Sequence, residues 1–310
     1  MSEWVSVSIR AALYVDLMLL FGLPLFGLYS LTRAERQAVL PFRALVAGLA
    51  VLGLALSGLG IAAMTAAMAG VPLSGIDRET LDMVITQTSV GTAWQVRIAA
   101  LLIALWFAWA AGQRKGAALF ALMTGAAGIA LASLAWTGHG AASEGRAGLV
   151  HLWADIFHLL AAGAWIGGIA AFGWLLLRPV AAMTEDHLRL SHRTLDRFSV
   201  VGSVVVGVIV ASGLVNSYML VGPMHIVDLP VTLYGQLLLV KLALFAAMVA
   251  LAAANRFRLT PALETALANG DALSAVAALR RSMVWEAAAV LAILGLVAWM
   301  GMLSPPMSAM

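Results

Sequence analysis

The sequence predicts an all-α integral membrane protein, a bundle of eight transmembrane helices. Three observations carry that prediction. The 310 residues are 63% hydrophobic and only 11% charged, whereas a soluble domain carries about 25% charged residues. Apolar runs of roughly 20 residues, long enough to cross a hydrocarbon core, recur along the whole chain. Arginine and lysine gather in alternate loops between those runs.

The spans are expected at about 10–31, 43–69, 91–112, 116–137, 148–176, 198–220, 231–254 and 283–303, each near the length a bilayer demands. Together they make a single polytopic membrane domain over residues 1–310. Gly and Ala recur in them, as close helix packing in lipid favours. The first run continues as a full span without a small-residue cleavage motif, which argues against a removable signal peptide.

Loop charges orient the bundle. Arg33, Arg36 and Arg43 occupy the first loop, Arg114 and Lys115 the third, Arg178, Arg189, Arg193 and Arg197 the fifth, and Arg256, Arg258, Arg280 and Arg281 the seventh. The second and fourth loops carry only Arg78 and Arg146, and the sixth has no basic residue but His225. Cytoplasmic loops collect Lys and Arg, so both termini are expected on the opposite face, the periplasmic side of a bacterial inner membrane. The second loop is expected to hold a short outer helix capped by Asp77. The fifth loop, with charges among leucines and His187 and His192 as solvated residues, is expected to lie along the inner surface. A short amphipathic helix is expected in the seventh.

Composition excludes whole classes of chemistry. The chain has no cysteine, so disulfides, iron–sulfur clusters, thiolate metal sites and cysteine nucleophiles are absent. A soft metal would have to use imidazole or the thioethers of the 15 methionines. The net charge of +3 sits in particular loops and calls for no nucleic-acid partner. No HExxH or GxSxG motif and no paired carboxylates appear within the spans, so no enzyme is expected.

The fifth span is where the sequence departs from a plain lipid-crossing helix. It carries His151, Asp155 and His158 at i, i+4 and i+7, on one helical face. Ionisable groups at membrane depth are costly and generally functional. His151 and His158 stand about 10.5 Å apart along the axis, at roughly 1.5 Å per residue, too far to share one ion readily. Two arrangements remain: one histidine binds metal while Asp155 orients it, or the three form successive stations on an entry path. The loop charges place His139, His225 and Met224 at the same outer level, together with most of the other methionines. These six residues are the candidate metal ligands. Four further charges fall at membrane depth: Asp16, Arg97, Lys241 and Glu286. Each needs a partner, with Asp155 or Asp16 set against Arg97 or Lys241 as the expected pairs. Packing alone offers a competing explanation for all of them, because buried pairs also lock helices together.

Several motifs point further. TGHG at 137–140, HLLAAGAWIGGIAAF at 158–172, Phe198–Ser199 with Ser212–Gly213, YGQLLLVKLALF at 234–245, Asn255–Arg256, RRSMVWE at 280–286 and the closing Pro305–Pro306 follow in order. Over about 137–306 this pattern resembles the CopD copper resistance proteins of bacterial inner membranes. Residues before about 130 resemble that family only in span count and general character. The resemblance implies eight spans, handling of periplasmic copper as Cu(I) or Cu(II), and uptake toward the cytoplasm. It also implies a small periplasmic copper-binding partner, CopC; no such β-domain is present here, so that partner is a separate chain. The bilayer is the other expected partner. Two alternatives belong to other classes: a membrane redox protein holding haem between histidines of different helices, and a structural or assembly protein.

Overall fold

The computed structural model describes residues 3–110, 117–138, 145–178, 183–269 and 273–306. The described residues form helices and no strands: α1 (Glu3–Ser30), α2 (Arg33–Ala38), α3 (Phe42–Ala69), α4 (Arg78–Gln87), α5 (Ser89–Ala110), α6 (Ala117–Ala132), α7 (Gly145–Leu176), α8 (Glu185–Val221), α9 (Leu233–Ala254), α10 (Thr260–Asn269) and α11 (Leu273–Met300). Among them are eight helical segments long and apolar enough to cross a membrane, matching the expected number and order. Arg114 and Lys115 lie outside the described residues.

α1 and α7 form the centre. They are the two most buried spans, 56% and 67% within their most apolar windows, against 17% for α8. α1 packs on α3, α6, α7 and α11. The α1–α7 contact is glycine-made. A Cβ on Gly22 would lie 2.0 Å from Gly163 O, and one on Gly167 would lie 2.1 Å from Gly22 C. Gly163 and Gly167 are a GxxxG pair, the spacing that lets two helix backbones touch in lipid. A neighbouring glycine, Gly168, makes room for the Phe198 ring, which stacks edge-on against Phe172 at 5.2 Å. Outward, α8 and α9 present Val200, Val204, Leu214, Leu239 and Leu242. Lipid accepts such side chains as readily as a core does.

The two ends of the bundle differ. At one, Trp4 and Trp299 rings meet at 5.3 Å and Arg10 bonds Gly301 O, so the start of α1 and the end of α11 lie together. At the other, arginines close helix C-termini. Arg36 donates to Gly27 O and Arg197 to Ser30 O at the end of α1, Arg43 to Ala108 O of α5, and Arg280 to Leu176 O of α7. The last carbonyls of a helix have no partner within it and carry the negative end of its dipole, so these arginines have a local role beside any effect on topology.

The connecting segments bring one agreement and several differences. Asp77 caps α4 as expected, accepting from Thr80 N at 2.7 Å. The first loop contains α2, which is closed by a reciprocal capping box between Thr32 and Glu35. The fifth loop does not run as a separate surface segment. Thr184 caps a single helix of 37 residues that continues into the sixth span, about 55 Å at ~1.5 Å per residue. No Gly or Pro interrupts 184–198, and Leu188 and Leu195 are buried against Leu263 and Leu279. His187 and His192 are half-buried rather than solvated: His187 bonds Leu175 O at 2.8 Å, and His192 lies 3.9 Å from Glu264. The seventh loop continues α9 through a π-helical turn, Asn255–Leu259, into α10.

Candidate functional site

The polar face of α7 is answered by a polar face on α8. The two helices run antiparallel, and Asn216 Nδ2 donates to Asp155 Oδ1 at 3.2 Å. One turn deeper, His158 Nδ1 meets Ser212 Oγ at 3.0 Å. Ser212 Oγ also donates to Val208 O at 2.6 Å, the shortest of its contacts, with Ile209 O at 3.3 Å. With that proton spent, Ser212 accepts from His158 Nδ1–H. That arrangement corresponds to the tautomer with Nε2 unprotonated, the form that ligates metal. The His158 ring rests 3.5 Å from where a Gly213 Cβ would stand, so Ser212 and Gly213 together seat it.

A cavity of about 160 Å³ opens beside this pair. His151, Asp155 and His158 all line it, and His151 is 1% exposed. Arg10, Tyr14 and Met18 of α1, Asn216 of α8, Tyr234 and Lys241 of α9, and Met300 complete the polar and sulfur-bearing wall. Lys241 is the cation whose charge acts on Asp155. His158 and Lys241 also line a second cavity of about 330 Å³, which reaches Trp165, Phe245 and Met248. The two cavities therefore share a wall made by a histidine and a lysine.

The structure thus gathers the His151–Asp155–His158 face into one cavity and sets it against Lys241. It leaves His225 and Met224 elsewhere: both are in a 3₁₀ segment, Pro223–Asp228, with His225 Nδ1 3.2 Å from Val221 O and Met224 82% exposed. His139 lies outside the described residues. Among the described residues no three His, Asp or Glu side chains converge as a preformed metal cluster. Both histidines of the cavity come from α7, which among the described residues offers no cross-helix pair for a haem.

The remaining buried charges behave differently from one another. Glu286 accepts from Asn255 Nδ2 and stands 3.5 Å from Ser282 Oγ, so two neutral groups support it rather than a cation. Asp16 and Arg97 do not form an ion pair within 4 Å with any described residue. Both Asp16 oxygens, and Arg97 Nε and Nη1, have no hydrogen-bond partner. Sequence reasoning did not place Arg10, Tyr14, Met18, Asn216 or Tyr234 at the site. Asn216, an amide in an apolar span one turn from Ser212, was the one readable signal among them.

Comparison with known proteins extends the resemblance to the whole chain. Two family models match, Copper resistance protein D-like, N-terminal domain, over residues 1–149, and Copper resistance protein D, over 192–300. The chain is 46% identical to Copper resistance protein D of Pseudomonas syringae pv. tomato, covering 100% of this chain and 99% of that protein. It is 32% identical to Copper transport protein CutJ of Bacillus subtilis, over 79% of this chain and 44% of that one. It is 27% identical to Inner membrane protein YebZ of Escherichia coli, over 82% and 84% respectively. No solved structure matches. On these matches and its eight apolar helices, the chain belongs to the copper resistance protein D family and is a multi-pass protein of the inner membrane.

Proposed function

We propose that the protein accepts copper from the periplasmic face and moves it toward or across the membrane, binding it in the cavity between α1, α7, α8 and α9. One observation carries this reading: His151, Asp155 and His158 share a single cavity with the thioethers of Met18 and Met300. It stands in a chain whose relatives are named for copper resistance and copper transport; none of the relatives named above bears an enzyme's name. Imidazole suits copper in either oxidation state and thioether favours Cu(I). The arginine distribution supports placing the end that carries both termini in the periplasm.

His139, His225 and Met224 serve in this reading as the outer capture ligands, receiving copper from a separate CopC-like periplasmic protein. His158, through Nε2, and Asp155 hold the ion deeper. Lys241 keeps the Asp155 carboxylate balanced before copper arrives, so the incoming cation competes with a resident ammonium. Past His158 and Lys241, Met248 in the adjoining cavity offers the next soft ligand.

The test is metal analysis of purified protein beside cellular copper accumulation. The wild type should hold copper. His151→Ala with His158→Ala should lose it while the thermal unfolding midpoint stays close to wild type. Unchanged copper content in the double variant would sink the assignment. A visible Soret band would favour the haem reading, and collapse of the fold without selective metal loss would favour a structural role.

A further inference from the structure

A third cavity, of about 180 Å³, lies at the end of the bundle that carries both termini, between α1, α3 and α5. Its polar wall is made by Ser6, Arg10, Tyr14, Arg97 and Thr137. Among the described residues no carboxylate lines it. Arg97 is 4% exposed, and its Nε and Nη1 have no hydrogen-bond partner among the described residues. Arg10 is spent on neutral oxygens: its two terminal nitrogens donate to Gly301 O at 2.6 Å and Thr137 O at 2.7 Å. Those bonds hold the side chain without cancelling its charge. Asp16 turns toward Gly53, where an added Cβ would meet its Oδ2 at 2.7 Å. It stands deeper in the bundle and is not part of this cavity.

Two guanidinium groups therefore face one small space with no counter-charge among the described residues of its wall. A buried cation left unpaired is among the costliest arrangements a protein can hold. Arginine's planar fork fits a carboxylate or phosphate through two parallel N–H bonds, and Arg97 leaves both Nε and Nη1 without a partner among the described residues.

We propose that this cavity binds a small oxyanion, a carboxylate or a phosphate, through Arg97, with the Arg10 charge behind it and the Tyr14 and Ser6 hydroxyls in reach. The phosphate is either free or the head group of a phospholipid. Arg10 and Tyr14 also line the histidine cavity, so a bound anion adds negative charge beside the place where a metal cation would enter. The assignment rests on Arg97 and its cavity, and stands whether or not the histidine cavity takes copper.

The test uses the full-length protein without copper. Delipidated protein is titrated with acetate and with inorganic phosphate at constant ionic strength, following the thermal unfolding midpoint, and native mass spectrometry reports phospholipid that survives purification. The midpoint should rise and saturate with one anion per chain, or the wild type should retain one phospholipid whose removal unmasks that response. A free anion is the occupant in the first case and a lipid phosphate in the second. Arg97→Gln should abolish whichever signal the wild type gives, and Arg189→Gln, on the exposed start of α8, should keep it. Arg97→Lys retains the charge without the fork, and should weaken anion binding at least tenfold. It also serves if Arg97→Gln does not fold. The proposal is overturned by a wild type with neither a saturable rise nor a retained lipid, or by an unchanged response in the Arg97 variants.

Discussion

Replacing Ser212 with alanine tests the copper site without touching a proposed ligand. The Ser212 hydroxyl donates to Val208 O at 2.6 Å and accepts from His158 Nδ1 at 3.0 Å. Alanine leaves Val208 O with its ordinary helical bond, so α8 itself loses little. The cost falls on His158. A buried N–H without a partner is worth about 1–3 kcal/mol. The imidazole can escape part of that cost by moving its proton to Nε2, the nitrogen that copper needs. Both outcomes weaken metal binding. Loss of the partner that orients a ligating histidine typically costs about 10–100-fold in affinity, or about 1.4–2.8 kcal/mol. Competition for copper against a chromogenic chelator would read this directly, with Ser212→Thr as the control that keeps the hydroxyl. If Ser212→Ala bound copper as tightly as wild type while His158→Ala lost it, the tautomer reasoning would be refuted.

Three further outcomes are expected. Gly167→Ala should destabilise the fold by about 1–3 kcal/mol or more, the cost of overpacking. Its Cβ meets the Gly22 backbone at 2.1 Å, whereas Gly207→Ala, with nothing within 4 Å, should be neutral in the same reversible unfolding assay. Lys241→Gln should tighten copper binding, since it removes the ammonium facing Asp155; weaker binding would contradict the competition proposed between ammonium and metal. Asp77 is held below the usual carboxylate range by the backbone N–H and the hydroxyl of Thr80. A depressed acid stabilises above its unfolded pKa, and that stability is lost as pH falls through the lower folded value. Protection of the Thr80 amide, its exchange rate compared with the intrinsic rate at the same pH, should therefore be greatest at neutral pH and fall below about pH 4, and Asp77→Asn should flatten that dependence.

What could be read from the sequence follows from where each structure's cause resides. Spans and their order depend on local apolar length, and all eight appear. The α4 cap needed only Asp77 and its neighbours. The capping box of α2, Thr32 with Glu35, was equally local and went unread among the loop arginines. The start of α8 was misjudged because its charges were weighed and its lack of helix breakers was not. Within the site, the His151–Asp155–His158 face was legible because helical spacing fixes it on one element. Which groups oppose it depends on how α1, α8 and α9 dock against α7. That docking is set by contacts such as Gly22 on Gly167, between residues far apart in sequence. Asn216, Ser212, Arg10 and Tyr14 could be assigned their places only in three dimensions. The same reason explains why Glu286 found a neutral partner in Asn255 of another helix where a cation was expected, beside the local Ser282 one turn away.

X-ray absorption at the copper edge, on purified protein loaded with one equivalent of Cu(I), tests the central claim most directly. The account predicts an imidazole scattering signature together with sulfur from Met18 or Met300, and loss of that bound copper in the His151→Ala, His158→Ala double variant. An identical copper shell in wild type and double variant would contradict it.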